Sequence, residues 1–286
     1  MILVTTAGKV GAHAARLLAE RGQGVRVLVR DPTKGADLAD RGVEVFQADL
    51  SDPAAVDAAM VGIDAVILVS PAVPEHEIGV IHSARHHQVA HVVKVTSDSS
   101  LYSPIARRRD QAQIEIALAE SGLGYTLLKN NAYMQNFLML APSITSRSAF
   151  DSPTGEGRVA MIDTRDVAAV AAQIAAAPAR HDGHTYWPTG PESLSYTDAA
   201  AIFTAVLGRQ ISVNAITLQQ QFTAMLAAGV PRKVAQDNGK ALGLFAAGEL
   251  DYVTPDVQEI SGRPPRSFKE FVHDHRGAFT STTEKR

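Results

Sequence analysis

Near the start of the chain, Thr5-Thr6-Ala7-Gly8-Lys9-Val10-Gly11 links an apolar run, Ile2–Thr5, to a helical stretch that begins at Val10. A strand that turns through small residues into a helix leaves the first helical N–H groups without intrahelical partners. They sit where the helix carries roughly half a positive charge, so such a turn is suited to a phosphate. Gly8 lets the backbone approach a pyrophosphate, and Gly11 lets the helix pack closely on the strand. Thr5, Thr6, Lys9 and Val10 complete the loop. The first glycine of the usual three is missing, and two glycines alone also occur in tight turns that bind nothing.

The second apolar run ends in Val29-Arg30-Asp31-Pro32, about 20 residues after the glycines, where dinucleotide folds select their cofactor. An acid there reads the ribose of NAD, and an arginine accepts the additional phosphate of NADP. Asp31 already has a structural task, because Asp followed by Pro makes an N-cap and a first helical residue. Arg30 has none, and Lys34 lies one turn further on. NADP, as NADPH, is therefore expected in preference to NAD.

Other chemistries are poorly provided for. With no cysteine in 286 residues, thiol nucleophiles, thiolate zinc sites and iron–sulfur clusters are excluded. The Tyr-x-x-x-Lys pair, in which lysine lowers the tyrosine pKa for proton transfer, is absent: four residues after Tyr102 stands Ala106. His82, His86, His87 and His91 cluster around one helix end, and His82 and His86 have metal-ligand spacing. No acidic residue lies between them and no third ligand is evident, so a solvated helix face is expected and no metal. His181/His184 and His273/His275 read the same way.

These residues need a scaffold, and the first half supplies its pattern. Apolar runs at Ile2–Thr5, Val25–Val29, Val43–Phe46, Ala65–Val69, Val92–Thr96 and Tyr125–Lys129 alternate with helical stretches at Val10–Arg21, Pro32–Ala39, Pro53–Met60, Glu75–His87 and Arg109–Ser121. Near-continuous apolar runs are strands covered on both faces, and strand–helix alternation implies right-handed crossovers. The expected fold class is α/β: a doubly wound parallel sheet of the Rossmann type, with a smaller C-terminal α/β domain. The cofactor domain is expected over 1–152 and the substrate domain over 153–286. Ser143–Gly157 is rich in Ser, Thr, Gly and Pro and predicts a surface loop. Arg158–Ile162 predicts a strand, Asp163–Ala177 an Ala-rich buried helix, and Thr185–Trp187 a strand. Ser195-Tyr196-Thr197-Asp198 is a capping box for a helix over Ala199–Leu207, and the tail from Phe279 predicts fraying.

The charge balance, 27 basic against 30 acidic residues for a net −3, gives no basic face for nucleic acid. No apolar run approaches the ~18 residues of a membrane span, and the N-terminus lacks the basic start and cleavage site of a signal peptide. A soluble, cytoplasmic globular protein with a small-molecule substrate is expected. A homodimer or a regulatory protein partner stays open.

The motifs taken together resemble a known family. They include Gly8-Lys9-Val10-Gly11, Val29-Arg30-Asp31-Pro32, Ala48-Asp49-Leu50 and Val69-Ser70-Pro71. Further on stand Ser121-Gly122-Leu123-Gly124-Tyr125-Thr126-Leu127-Leu128, Tyr133-Met134-Gln135-Asn136-Phe137, Gly155-Glu156-Gly157-Arg158-Val159-Ala160, Thr189-Gly190-Pro191 and Gly262-Arg263-Pro264-Pro265. Over nearly the whole chain this is similar to the NmrA-like branch of the atypical short-chain dehydrogenases/reductases, above all to the bacterial NAD(P)H:quinone oxidoreductases of type 2. The resemblance implies that Asp49 and Leu50 lie by the adenine, Ser70 and Pro71 along the dinucleotide, and Thr96 and Ser97 beside the nicotinamide ribose. It also implies that Tyr133 and the Gly155–Ala160 loop face a substrate cleft, and that a segment near 158–180 returns to the first domain.

Related reductases carry Lys or His where this chain has Gln111, which can orient a carbonyl but cannot donate a proton at neutral pH. A quinone is a less demanding acceptor, since charge delocalises into its ring and water can supply the proton. Tyr133, Gln111 and Asn131 are the expected polar groups at the substrate, with Asn130 behind and Met134, Phe137 and Met161 lining an apolar cleft or simply packing a core. Hydride transfer from NADPH to a quinone or similar small planar electrophile is expected. The rival is a non-catalytic NADP-binding sensor that regulates a partner protein, a role the resemblance also includes.

Overall fold

The computed structural model describes residues 1–280. The first strands and helices follow in strict alternation: β1 (Ile2–Val4), α1 (Lys9–Glu20), β2 (Val25–Val29), a 3₁₀ turn over Pro32–Gly35, α2 (Ala36–Ala39), β3 (Glu44–Gln47), α3 (Pro53–Ala59), β4 (Ala65–Leu68), α4 (Pro74–His86), β5 (His91–Thr96), α5 (Ala106–Ala119) and β6 (Gly124–Lys129). The boundaries follow local chemistry. Asp52 caps α3, accepting the N–H groups of Ala54 and Ala55 ahead of Pro53, and Asp31 accepts the N–H of Thr33. Asp31-Pro32 thus opens a 3₁₀ turn rather than the single helix expected over Pro32–Ala39.

Two further stretches follow: α6 (Ala141–Arg147) and β7 (Ala149–Ser152), then α7 (Thr164–Ala176) and β8 (Thr185–Tyr186). The main sheet has the order β3-β2-β1-β4-β5-β6-β8, and every pairing in it is parallel. The expected doubly wound α/β sheet is present, with β8 as a seventh strand on its edge. Helix α7 packs on α1 and on β4, β5 and β6. Its sequence, TRDVAAVAAQIAA, is buried almost all round, and small side chains let it lie close to the sheet. A core of Leu3, Leu28, Val66, Leu68, Val92, Ile114 and Leu118 fills the opposite face.

The chain closes with α8 (Tyr196–Leu207), β9 (Ser212–Ala215), α9 (Leu218–Ala227), α10 (Arg232–Ala246), α11 (Asp256–Ser261), α12 (Phe268–Asp274) and α13 (Arg276–Phe279). Contacts divide it into two compact units. The first comprises Met1–Asn130, Thr164–Pro188 and Asp256–Arg263; the second comprises Asn131–Asp163, Thr189–Pro255 and Pro264–Arg286. The second holds the parallel pair β7–β9 and an aromatic core of Phe137, Phe150, Phe203, Phe268, Phe271 and Phe279. The capping box at Ser195 is formed, with Asp198 reciprocating.

Several local expectations are corrected. The expected boundary at 152 falls inside the second unit, which begins at Asn131. Ser143–Gly157 is not a continuous loop: it contains most of α6 and all of β7, because Ile144 and Phe150 are fully buried and packing overrides weak local propensity. Arg158–Ile162 forms no strand and makes isolated bridges only, Val159 with Leu194 and Ile162 with Tyr133. Its apolar residues reflect burial, not pairing. Phe279 is buried in the aromatic core rather than frayed, and the rest of the polar tail, from residue 281, lies outside the described residues.

Candidate functional site

In the main sheet the strand order reverses between β1 and β4, and sheets of this kind bind ligands beyond the carboxyl ends of the strands at that reversal. The residues singled out in the first unit gather there or along the same edge. Thr5 Oγ1 donates to the Val69 carbonyl at 2.9 Å and accepts the Val69 N–H at 2.9 Å, and Thr6 Oγ1 donates to the same carbonyl at 3.0 Å. Both hydroxyls therefore stitch the β1 loop to the end of β4. Gly8 is the N-cap of α1 in extended conformation, and no side chain caps the helix. The helix's first N–H groups and positive end are left for a ligand. A Cβ on Gly11 would stand 1.9 Å from the Thr6 carbonyl oxygen, so only glycine lets α1 start against this loop. Lys9 is exposed and Val10 buried.

At the end of β2, Arg30 and Lys34 are exposed, and the Arg30 guanidinium makes no hydrogen bond or ion pair with the described residues. Asp31 is committed to Thr33, accepting its N–H at 3.0 Å and its hydroxyl at 2.7 Å. Asp49 accepts the N–H and the hydroxyl of Ser51. Those bonds, helped by the charge of Arg30, hold its carboxyl below the usual range. Leu50 is half-buried against the core.

The loop after β4 rests on charges buried beneath it. Ser70 Oγ donates to Glu77 Oε1 at 2.6 Å, and Glu77 Oε2 meets Lys94 Nζ at 2.6 Å with both side chains fully buried. Lys94 also donates to the Val95 carbonyl at 2.9 Å. Pro71 is exposed and Ala72 is left-handed, at φ 61°.

A second polar network closes the ends of β5 and β6. Thr96 Oγ1 donates to Glu115 Oε1 at 2.6 Å, Ser99 Oγ to Glu115 Oε2 at 2.6 Å, and Lys129 Nζ to Ser99 Oγ at 3.1 Å. Lys129 also pairs with Glu115 at 3.2 Å and lies over the Trp187 ring at 5.3 Å. Ser97 is half-buried beside Thr96. One helical turn before Glu115, Gln111 is buried and its Oε1 has no hydrogen-bond partner among the described residues. Tyr102 is 95% exposed, which removes it from any buried dyad. Asn130 Nδ2 donates to the Thr96 carbonyl at 3.0 Å.

In the second unit, Tyr133 is half-buried and bridges to Ile162 through the backbone. Asn131 is buried, donating to the Leu250 carbonyl at 3.2 Å and accepting the Ala132 N–H at 2.7 Å. Met134, Phe137 and Met161 are buried in the core. Phe137 makes ring contacts with Phe150, Tyr196, Phe203 and Phe268, so the packed alternative holds for these residues. In the Gly155–Ala160 loop, Gly157 is held by close approach to the Phe245 carbonyl, and Val159 and Ala160 are buried. Tyr196 packs against the same core, and desolvation pushes its pKa up to about 12.

The histidines do not share one environment. His82 and His86 are exposed, whereas His91 is buried and shares a 2.9 Å hydrogen bond with Thr126. Burial holds its pKa below the usual imidazole value, so the expected solvated face does not extend to it. Two features were missed from the sequence: the Glu77–Lys94 pair and the Glu115–Ser99–Lys129 network. A lysine inside His91-Val92-Val93-Lys94-Val95-Thr96 was a usable signal, since a strand buried on both faces cannot leave a charge without a partner.

Comparison with known proteins identifies the family. The family model of the NmrA-like family matches residues 1–271. An NAD(P)H azoreductase from Xenophilus azovorans is 35% identical over 98% of this chain and 99% of its own length. Quinone oxidoreductase 2 of Escherichia coli is 30% identical over 95% and 97%. The crystal structure of the E. coli NADPH-dependent quinone oxidoreductase complexed with NADPH superposes with a TM-score of 0.86 at 26% identity, covering 96% of this chain and all of that one. No helix of the described residues is long and apolar enough to cross a membrane. The chain belongs to the NmrA-like family.

Proposed function

We propose that this protein is an NAD(P)H-dependent oxidoreductase that passes hydride from NADPH to a quinone or a similar small planar electrophile. The observation that carries the reading is the uncapped start of α1 at the strand-order reversal, with Arg30 and Lys34 exposed at the end of the adjacent strand. It is supported by similarity, over 95–98% of the chain and at 30–36% identity, to an NAD(P)H azoreductase, an alkanoyl-furanone phosphate reductase and a quinone oxidoreductase. When bound, NADPH supplies the hydride.

The chain's part is positioning and polarity. The Gly8–Gly11 turn holds the pyrophosphate and Arg30 with Lys34 the additional phosphate. Asp49 and Leu50 border the adenine, and Ser70 and Pro71 the length of the dinucleotide. Thr96 and Ser97 lie at the nicotinamide ribose, with the Thr96 hydroxyl aimed by Glu115. Gln111 offers a buried carbonyl oxygen to a polar hydrogen and orients without donating a proton. Roles for Tyr133 and Asn131 are read from acceptor KM in Tyr133→Phe and Asn131→Ala.

The test is steady-state NADPH oxidation with a panel of quinones and an azo compound. Acceleration over the spontaneous rate is expected, and none despite cofactor binding would remove the enzyme reading. Arg30→Ala should weaken NADPH binding by about ten- to a hundredfold, the equivalent of roughly 1.5–3 kcal/mol for a charge-assisted contact, and leave NADH binding nearly unchanged. Equal losses for both would refute the phosphate role.

A further inference from the structure

At the amino ends of the strands, remote from the cofactor turn, α3 packs on α4, which brings an aspartate of α3 to two consecutive histidines at the end of α4. His86 is the last residue of α4 and His87 its C-cap. His87 Nε2 lies 3.1 Å, and His86 Nδ1 3.7 Å, from Asp57 Oδ1 on α3, and donor atoms of all three lie within 4.8 Å of one another. The geometry points to a binding site for a divalent transition-metal ion of the zinc class, held by Asp57, His86 and His87 and clamping α3 to α4.

Tetrahedral coordination at about 2.0–2.2 Å places neighbouring donor atoms roughly 3.3–3.6 Å apart. The two measured separations bracket that range, so small side-chain rotations complete the site. Two imidazoles and one carboxylate form a donor set that suits zinc and leaves a position for water. Ser83 Oγ donates to Asp57 Oδ1 at 2.9 Å, orienting the carboxylate as an outer partner does in built metal sites. His87 Nε2 is shielded from solvent and faces the Asp57 carboxylate. The carboxyl end of the 13-residue α4 adds negative potential at the same point.

The site is structural rather than catalytic, because α4 runs from the Ser70 loop at its start to His86 at its end. The test titrates zinc chloride into metal-stripped, tag-free, full-length protein, by calorimetry and by thermal unfolding, with cobalt(II) as a spectroscopic probe. Expected are uptake of one zinc per chain, a rise in Tm, and the visible bands of tetrahedral cobalt. His86→Gln and Asp57→Asn should each weaken uptake tenfold or more, while His82→Gln leaves it unchanged. NADPH turnover should be the same in His86→Gln as in the parent protein. Absence of saturable uptake, or uptake indifferent to Asp57→Asn, His86→Gln and His87→Gln alike, would overturn the proposal.

Discussion

Lys94 shows how one residue ties the sheet interior to the cofactor edge. Its ammonium is fully buried against Glu77, and the other carboxylate oxygen of Glu77 holds the Ser70 hydroxyl. Removing one member of a buried pair strands the other charge, which costs about 3–5 kcal/mol. Lys94→Met alone should therefore lose roughly that much stability in chemical denaturation, while Glu77 still holds the Ser70 hydroxyl. The double variant Lys94→Met/Glu77→Leu should recover most of the stability, because a packed apolar pair removes both desolvation penalties. The double variant, unlike the single one, should loosen NADPH binding, since Ser70 then lacks its acceptor. A single variant as stable as the parent would show that the pair is not buried in solution.

Among the elements, the start of α1 is where the proposed phosphate contact can be tested. Gly→Ala inside a helix ordinarily stabilises by about 1 kcal/mol, but at Gly11 the new methyl would collide with the Thr6 carbonyl. Thr6 cannot yield easily, because its hydroxyl is anchored to Val69. Gly11→Ala should lower Tm and weaken NADPH binding by an order of magnitude or more. Gly8→Ala is the contrast: its φ is −76° and its nearest neighbour, Thr6 Oγ1, would be 3.6 Å away. The fold should tolerate it, so lost cofactor affinity at unchanged Tm would report a phosphate against that backbone. Matching Tm losses in both variants would mean the turn is only structural.

The elements were unequally legible. β1, β2, β4 and β5 could be read because strands buried on both faces must be apolar throughout, and α3 because Asp52-Pro53 spells a cap and a first turn. β7 could not, since Ala149-Phe150-Asp151-Ser152 has little strand character of its own and is held by β9, some 60 residues later. Of the site, the Gly8–Gly11 turn and Arg30 were legible as local motifs. The Glu115–Ser99–Lys129 network was not, because its members meet only when β5, α5 and β6 pack.

At the scale of the molecule, the first unit is assembled from three separated stretches of chain. A fragment of residues 1–130 would contain β1 to β6 and every proposed cofactor residue, yet it would lack α7, which covers β4, β5 and β6 and packs on α1. Such a fragment should expose one apolar face of the sheet, bind a hydrophobic dye and fail to melt cooperatively. Cooperative unfolding of a monodisperse fragment would contradict this. The dependence follows from the absence of a water-facing side in a doubly wound sheet.

The sequence by itself determined the class of fold, the glycine turn between β1 and α1, and the place of Arg30 at the end of β2. Each rests on residues within one strand–turn–helix unit, where spacing translates directly into geometry. Only the tertiary structure decided which polar groups are satisfied and by whom. It joined Glu77 to Lys94 across a buried layer, made core of Met134, Phe137 and Met161, and brought Asp57 to His86 and His87. The Glu77–Lys94 pairing joins a helix to a strand, and the desolvation that makes it obligatory arises only when the layers close.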